Sequence, residues 1–244
     1  MERKRSIVAI VVTVIMVGVY VYVTYFAPTT PQRLSQTGIP LPTEYFNSDD
    51  TVNIAYVEGV LDKIPPTNPP TGDAGGYDRE AFFGPSWYDV DGNGCDTRND
   101  ILRRDYKNVR VERNGCTVVS GTLQDPYSGT VIDAKRGDGM VDIDHVVPLK
   151  AAYDSGAWAW SYKERLRFAN DPINLTAVSY TENRTKSDKL AAEWLPTNKG
   201  VHCEYALVTT QVYEKYPLGI DATNRIQLKK LLQGCKEVTM AEVD

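Results

Sequence analysis

The sequence predicts an α+β domain with few strands, set behind one N-terminal membrane helix. Three observations lead there. The run Ile7–Phe26 carries no charged residue. Short stretches rich in β-branched residues recur between turn residues in the second and third quarters of the chain. Segments with apolar residues at helical spacing alternate with them. At 244 residues with 42% hydrophobic content, the chain can bury a sizeable core. Its net charge of −5 excludes attraction to polyanions by overall field, so any phosphate contact has to come from a local patch.

About 20 apolar residues cross the hydrocarbon core of a bilayer. Arg3, Lys4 and Arg5 precede that run and favour a cytoplasmic N-terminus, with the remainder outside. The exit Tyr25-Phe-Ala-Pro28 places a bulky residue where a cleavage site prefers a small one. Residues 1–27 therefore read as an uncleaved signal anchor, with a secreted chain as the outcome if they are cleaved. Residues 28–74, rich in Pro, read as a stalk and linker that includes a short helix within 44–63 and is broken at Ile64-Pro-Pro-Thr-Asn-Pro-Pro-Thr-Gly72. The compact domain is expected over 75–244.

Within that domain, Asp96 or Asn99 could cap a helix through Ile101, Leu102, Tyr106 and Val109. Strands are expected over 110–119, 130–134 and 141–147, and helices over 149–153, 161–168, 177–186 and 228–232. Four cysteines in an exported domain favour disulfides, and the sequence-local pairing joins Cys95 to Cys116 and Cys203 to Cys235. No pair has the Cys-x-x-Cys spacing of a zinc site.

The chemistry concentrates in Asp144-His145-Val-Val-Pro148, Asn174-Leu175 and Asn183-Arg-Thr-Lys186. Hydrolysis of a phosphodiester needs a base that is neutral near pH 7, which a histidine supplies. It also needs positive charge at the leaving oxygen, which a hard divalent cation on oxygen ligands supplies. Asp144 and Asn183 offer such oxygens. Neighbours on a regular strand face opposite ways, so His145 and Asp144 require the strand to open before Pro148. Asn174 is the candidate to brace that opening through its backbone. Lys186 shares a helical face with Asn183, where it could meet a phosphate. Taken singly, each has an ordinary reading: a polar strand surface, a turn residue, a solvated helix face. Their conjunction and order carry the argument.

Asp144-His145-x-x-Pro-Leu, Asn174-Leu and Asn183-x-x-Lys186 resemble the HNH, or ββα-metal, nuclease motif. The resemblance is closest to the exported bacterial HNH endonucleases, and it extends through Gly94-Cys-Asp-Thr-Arg-Asn99, Ser120-Gly-Thr-Leu-Gln-Asp-Pro-Tyr127, Ser155-Gly-Ala157, Phe168-Ala-Asn-Asp-Pro172 and Glu193-Trp-Leu-Pro196. It implies a ββα-metal core with added helices and a small sheet. In it His145 is the general base, Asn174 orients its loop, and Asp144 and Asn183 hold one metal. Asn183 stands where the last His often does, and an amide binds transition metals weakly, so Mg²⁺ or Mn²⁺ is favoured over Zn²⁺. The implied activity is an endonuclease acting on DNA, or on RNA, outside the cytoplasmic membrane.

Other features are secondary. Asp89-Val-Asp91-Gly-Asn93-Gly94, with Asp100 at the twelfth position, spells a candidate calcium loop; a plain Asp/Gly turn is the alternative. Arg98 falls within the resemblance as a candidate phosphate clamp, with a salt bridge as its alternative. Arg103, Arg104, Lys107, Arg110 and Arg113 form the densest basic stretch. Trp158 and Trp160, in the long insert 151–170, are expected to pack. His202 reads as structural. A different class of function also stands: a surface binding protein that keeps this fold without activity, stabilised by calcium.

Overall fold

The computed structural model describes residues 36–70 and 76–237. The anchor expected over 1–27 lies outside the described residues, and no helix among those described is long and apolar enough to cross a membrane.

The chain forms mixed α+β structure with two small antiparallel sheets. Helix α1 (Ile54–Lys63) is capped by Asn53, whose side chain accepts the Tyr56 N–H. A short α2 (Arg79–Phe83) follows, then α3 (Thr97–Asp105), where the Asp96 carboxylate accepts the Asn99 N–H. Strands β1 (Tyr106–Val111), β2 (Val118–Gln124) and β3 (Val131–Lys135) form one antiparallel sheet in that order. The single strand expected over 110–119 is thus a hairpin, turning at 112–117 around Gly115, which takes φ 75°. Gly121 on β2 is required by close approach: a Cβ there would stand 2.4 Å from the Tyr106 ring on β1.

Strand β4 (Val141–His145) pairs antiparallel with β5 (Leu175–Ser179), from Val141 opposite Ser179 to His145 opposite Leu175. Between them lie α4 (Leu149–Asp154) and α5 (Tyr162–Ala169), the latter opened by a reciprocal capping box between Ser161 and Glu164. Helix α6 (Tyr180–Lys186) starts directly off β5, because Ser179 both ends the strand and caps the helix. The sequence pattern predicts helix from Ala177 onward. The structure gives strand through Ser179, because residues 175–178 are buried and their backbone pairs with β4. Helices α7 (His202–Lys215) and α8 (Ala222–Gln233) follow.

Two apolar clusters result. The smaller joins α3 to both sheets through Ile101, Leu123, Ile143 and Leu175. The larger centres on α7 and includes Ile39, Tyr45, Val57 and Leu61. The stalk expected over 28–74 is therefore corrected for residues 36–70, which pack as part of the domain. Each large apolar side chain fully buried there contributes about 1.5–3 kcal/mol, which no freely solvated stalk would gain. Even the Pro-rich break is seated: the Ile220 N–H donates to Pro65 O at 2.8 Å, and a Cβ on Gly219 would meet Pro66 O at 2.3 Å. Disulfides join Cys95 to Cys116, and Cys203 on α7 to Cys235, with Cα–Cα distances of 5.2 Å in each.

Candidate active site

Strand β4, the start of α4 and the end of α6 wall a cavity of about 500 Å³ lined by His145, Asp142, Asp144 and Asn183 together with Trp87, Arg79, Lys150 and Arg184. His145 is the last residue of β4. Its Nε2 lies 2.8 Å from Ala169 O at the end of α5. A carbonyl only accepts, so Nε2 carries the hydrogen and Nδ1 is the basic nitrogen. The ring is half-buried, and desolvation pushes its pKa down from 6.5 to about 3, with Arg79 and Lys186 adding to that direction and the Ala169 bond opposing it. The imidazole is thus held neutral. The indole of Trp87 lies nearly parallel to it, 13° between planes and 6.3 Å between centroids. Trp87 has φ 62°, a left-handed conformation rare for a bulky residue, next to the base.

The backbone after His145 is held by Asn174. Its Oδ1 accepts the Val147 N–H at 2.8 Å and its Nδ2 donates to Val147 O at 3.1 Å, while the Val146 N–H donates to Asn174 O at 2.9 Å. Asn174 is fully buried. Both polar groups of Val147 are paired by one side chain, so the opened strand carries no orphaned backbone there.

The two β4 carboxylates differ. Strand alternation puts Asp142 and Asp144 on one face. Asp144 is buried: Lys186 Nζ donates to its Oδ1 at 2.9 Å and the Tyr127 hydroxyl to its Oδ2 at 2.7 Å. Lys186 Nζ also donates to His145 O at 2.7 Å. Burial acts against both charges, lifting the Asp144 carboxyl and lowering the Lys186 ammonium from their ordinary values, while each charge offsets the other's desolvation. Burial and Asp144 keep the Tyr127 phenol well above its usual pKa and so a donor. Asp142 instead faces the cavity and accepts from Asn183 Nδ2 at 3.1 Å, with Arg184 Nε 4.0 Å away.

Lys186, expected at a phosphate, is instead a buried counter-ion with no exposed surface. Arg98 does not reach the cavity: its guanidinium donates to Val141 O at 3.1 Å and lies 5.9 Å from the Trp87 ring. Arg104 also proves structural, donating to Pro172 O and Leu175 O at 2.8 and 2.6 Å. Trp158 and Trp160 pack against the larger apolar cluster, and His202 bonds Pro196 O. The cations that do line the cavity are Arg79, Lys150 and Arg184. Sequence spacing gave no sign of them or of Trp87, whereas the i, i+2 alternation along β4 was a usable signal for Asp142.

Oxygen donors from Asp142, Asp144 and Asn183 on one cavity wall suit a hard divalent cation. Among the described residues, no group of three or more His, Cys, Asp or Glu could hold a metal. The loop 89–100 brings Asp91 and Asp89 near Asp100, whose pKa is raised chiefly by partial burial and then by those charges. Yet Asp89 accepts the Gly92 and Gly94 N–H groups at 2.8 and 2.9 Å, and Asp91 accepts the Asn93 N–H at 3.1 Å. Those bonds are those of an Asx turn.

Residues 96–227, from the cap of α3 to the first half of α8, match the family described as GmrSD restriction endonucleases, C-terminal domain. The chain is also similar to an uncharacterized secreted protein of Arthroderma benhamiae, 37% identical over 214 residues, covering 87% of this chain and 98% of that one. No solved structure matches it. With the match spanning every part of the cavity wall apart from residues 77–87, the chain belongs to the family of the GmrSD restriction endonuclease C-terminal domain, a nuclease family.

Proposed function

We propose that the protein is an HNH-type, metal-dependent endonuclease that hydrolyses phosphodiester bonds of DNA, working outside the cytoplasmic membrane. The observation that carries this is the state of His145. Its Nε2 is fixed on Ala169 O, so neutral Nδ1 is left as a base at a cavity walled by β4, α4 and α6.

Neutral His145 takes the proton of a water as that water attacks phosphorus. Asn174 keeps the imidazole in place by fixing Val147, two residues on. Arg79, Lys150 and Arg184 bring positive charge to the cavity wall, which offsets the negative field of the whole chain where a phosphate would enter. A single Mg²⁺ or Mn²⁺, held by Asn183 and β4 carboxylate, would supply the charge that stabilises the leaving oxygen. The two disulfides suit an oxidising compartment, which supports an extracytoplasmic address.

The test is cleavage of plasmid DNA in Mg²⁺ or Mn²⁺ by the wild type and by His145→Ala. The variant is expected to lose cleavage and to stay folded, with a single cooperative thermal transition. Equal cleavage by both would sink the assignment of the base. Binding of DNA by the wild type without hydrolysis in any divalent metal would instead make the chain a binding protein on this fold.

A further inference from the structure

A second cavity, of about 450 Å³, is lined by Trp160, Tyr216, Arg167, Asp171, Lys215 and Val90, and the catalysis described above uses none of them. Its aromatic wall is rigid. Trp160 follows the turn at 157–159 in the insert, and Tyr216 ends α7. Their rings lie 28° from parallel with centroids 5.7 Å apart. Fully buried Phe168 meets them at 73° and 90°, so both rings are backed by the core and held in place. Burial and the bond to Asp171 push the Tyr216 phenol well above its ordinary pKa, so it stays a donor, with Arg167 close enough to oppose that shift.

Most charges at this cavity are already spent. One Asp171 oxygen takes the Tyr216 hydroxyl and the Lys215 ammonium, and the other takes the Ile173 N–H. Glu164 is held in its capping box with Ser161. Arg167 is exposed and makes no ion pair with any described residue. The cavity therefore offers a fixed π surface beside an unspent guanidinium. That suits a flat, uncharged ring joined to a phosphate, and it suits a bare anion poorly.

Two segments tie this cavity to the first. The loop after α2 lines the first with Trp87 and the second with Val90, three residues on and so no more than about 11 Å away. The stretch 167–174 gives Ala169 O to His145, lines the second cavity with Arg167 and Asp171, and ends at the brace Asn174. A strand with one phosphate at His145 thus brings a nearby nucleotide to the aromatic wall. A base inside a duplex has both faces covered by its neighbours, so only an unpaired base could enter.

Resting on the nuclease reading above, we propose that Trp160 and Tyr216 stack one base flanking the scissile phosphate, and that Arg167 meets the phosphate beside that base. The substrate is then single-stranded or locally unpaired DNA, gripped at two points: a cationic cavity takes the backbone and an aromatic one takes a base.

The test is binding to the full chain in EDTA, read by the fluorescence anisotropy of an end-labelled oligodeoxynucleotide that is single-stranded, duplex, or single-stranded with abasic sites. The wild type is expected to hold the intact single strand most tightly. Trp160→Leu is expected to weaken that binding on the order of tenfold, as loss of one stacked base does, and to leave duplex binding unchanged. The abasic strand should bind the wild type and Trp160→Leu alike. If Trp160→Leu does not fold, Arg167→Ala alters only an exposed side chain. It is expected to lower the slope of log affinity against log salt on the single strand by about 0.7. Equal binding of intact and abasic strands by the wild type overturns the proposal. So does unchanged single-strand affinity in folded Trp160→Leu, or an unchanged salt slope in Arg167→Ala. Binding of a chitin oligosaccharide that Trp160→Leu abolishes, with oligonucleotide binding intact, makes the cavity a sugar site and also overturns it. Base-dependent binding without cleavage in Mg²⁺ or Mn²⁺ sinks the nuclease reading, whereas cleavage by a chain that binds intact and abasic strands alike sinks only the base site.

Discussion

Two stretches of this chain carry acids and amides at the spacing of a metal-binding motif: the loop at 89–100 and the segments around His145. Their hydrogen bonds separate them. In the first, Asp89, Asp91 and Asn93 accept backbone N–H groups two to five residues ahead, so the polar groups close a turn on themselves. In the second, the bonds span far longer separations: Asn174 to Val147, Asn183 to Asp142, Lys186 to Asp144. A self-satisfied loop needs no partner from the rest of the fold. A site held across 27 to 42 residues exists only when strand, strand and helix are assembled, and it couples the chemistry to folding.

The largest effect that would sharpen this contrast is expected at Lys186→Met. It leaves the Asp144 carboxylate buried without its counter-ion, which costs about 3–5 kcal/mol. For a domain of this size that lowers Tm on the order of 10 °C, measurable by differential scanning calorimetry. A change under 2 °C, well inside the surface-substitution range, would show that the pair is solvated rather than structural. Asn174→Ala comes next. It strips the partners from the Val147 N–H and C=O, each a buried group costing about 1–3 kcal/mol when unpaired. Cleavage should fall with kcat more than KM, because the base is displaced while the cationic wall that meets phosphate is untouched.

How much of this was legible follows the same division. Features that close locally could be read: the Asp96 cap of α3 and the helix that the Ser161–Glu164 box opens. The disulfide pairs and the brace at Asn174 span 21 to 32 residues, and they were legible through cysteine order and motif order instead. Features decided by distant packing could not. Residues 177–179 look helical alone and join β5 because β4 lies opposite, while Asp105 and Arg104 bond to its backbone at Ala177 and Leu175. Helix α7 is buried almost all round, so it shows no polar face by which periodicity would find it. Leu61 shares helical spacing with Val57, Val60 and Ile64, but the flanking prolines gave no sign that this helix, or Tyr45 before it, packs into the domain. Lys186 shows the limit most clearly. Helical spacing put it beside Asn183, and only the tertiary position of Asp144 turned it inward.

The pH dependence tests the His145 end of the comparison. Its folded pKa, about 3, lies below the unfolded value of 6.5. The neutral ring therefore contributes stability that is present above pH 6.5 and is lost as pH falls toward 3, because the unfolded chain binds the proton first. The Tm difference between wild type and His145→Gln should shrink, or reverse, between pH 7 and pH 4. The acid limb of kcat/KM should also fall below pH 6.5. An acid limb centred near 6.5 would mean that the ring is solvated and the cavity more open than its walls suggest.

The smallest effect is expected in the local loop. Asp89 is fully exposed, and its carboxylate is held below its ordinary value first by the Gly94 N–H. Asp89→Ala should move Tm by no more than about 2 °C, the range of surface substitutions. Calcium discriminates further. A site with a dissociation constant a hundredfold below the added calcium would stabilise the fold by about 2.7 kcal/mol, or roughly 5–10 °C. Because the loop carboxylates already accept the backbone N–H groups that shape it, calcium should leave Tm unchanged in both the wild type and Asp89→Ala. A rise of that size in the wild type, lost in Asp89→Ala, would make this loop an ion site. Local closure of hydrogen bonds would then be a scaffold for a cation and not a substitute for one.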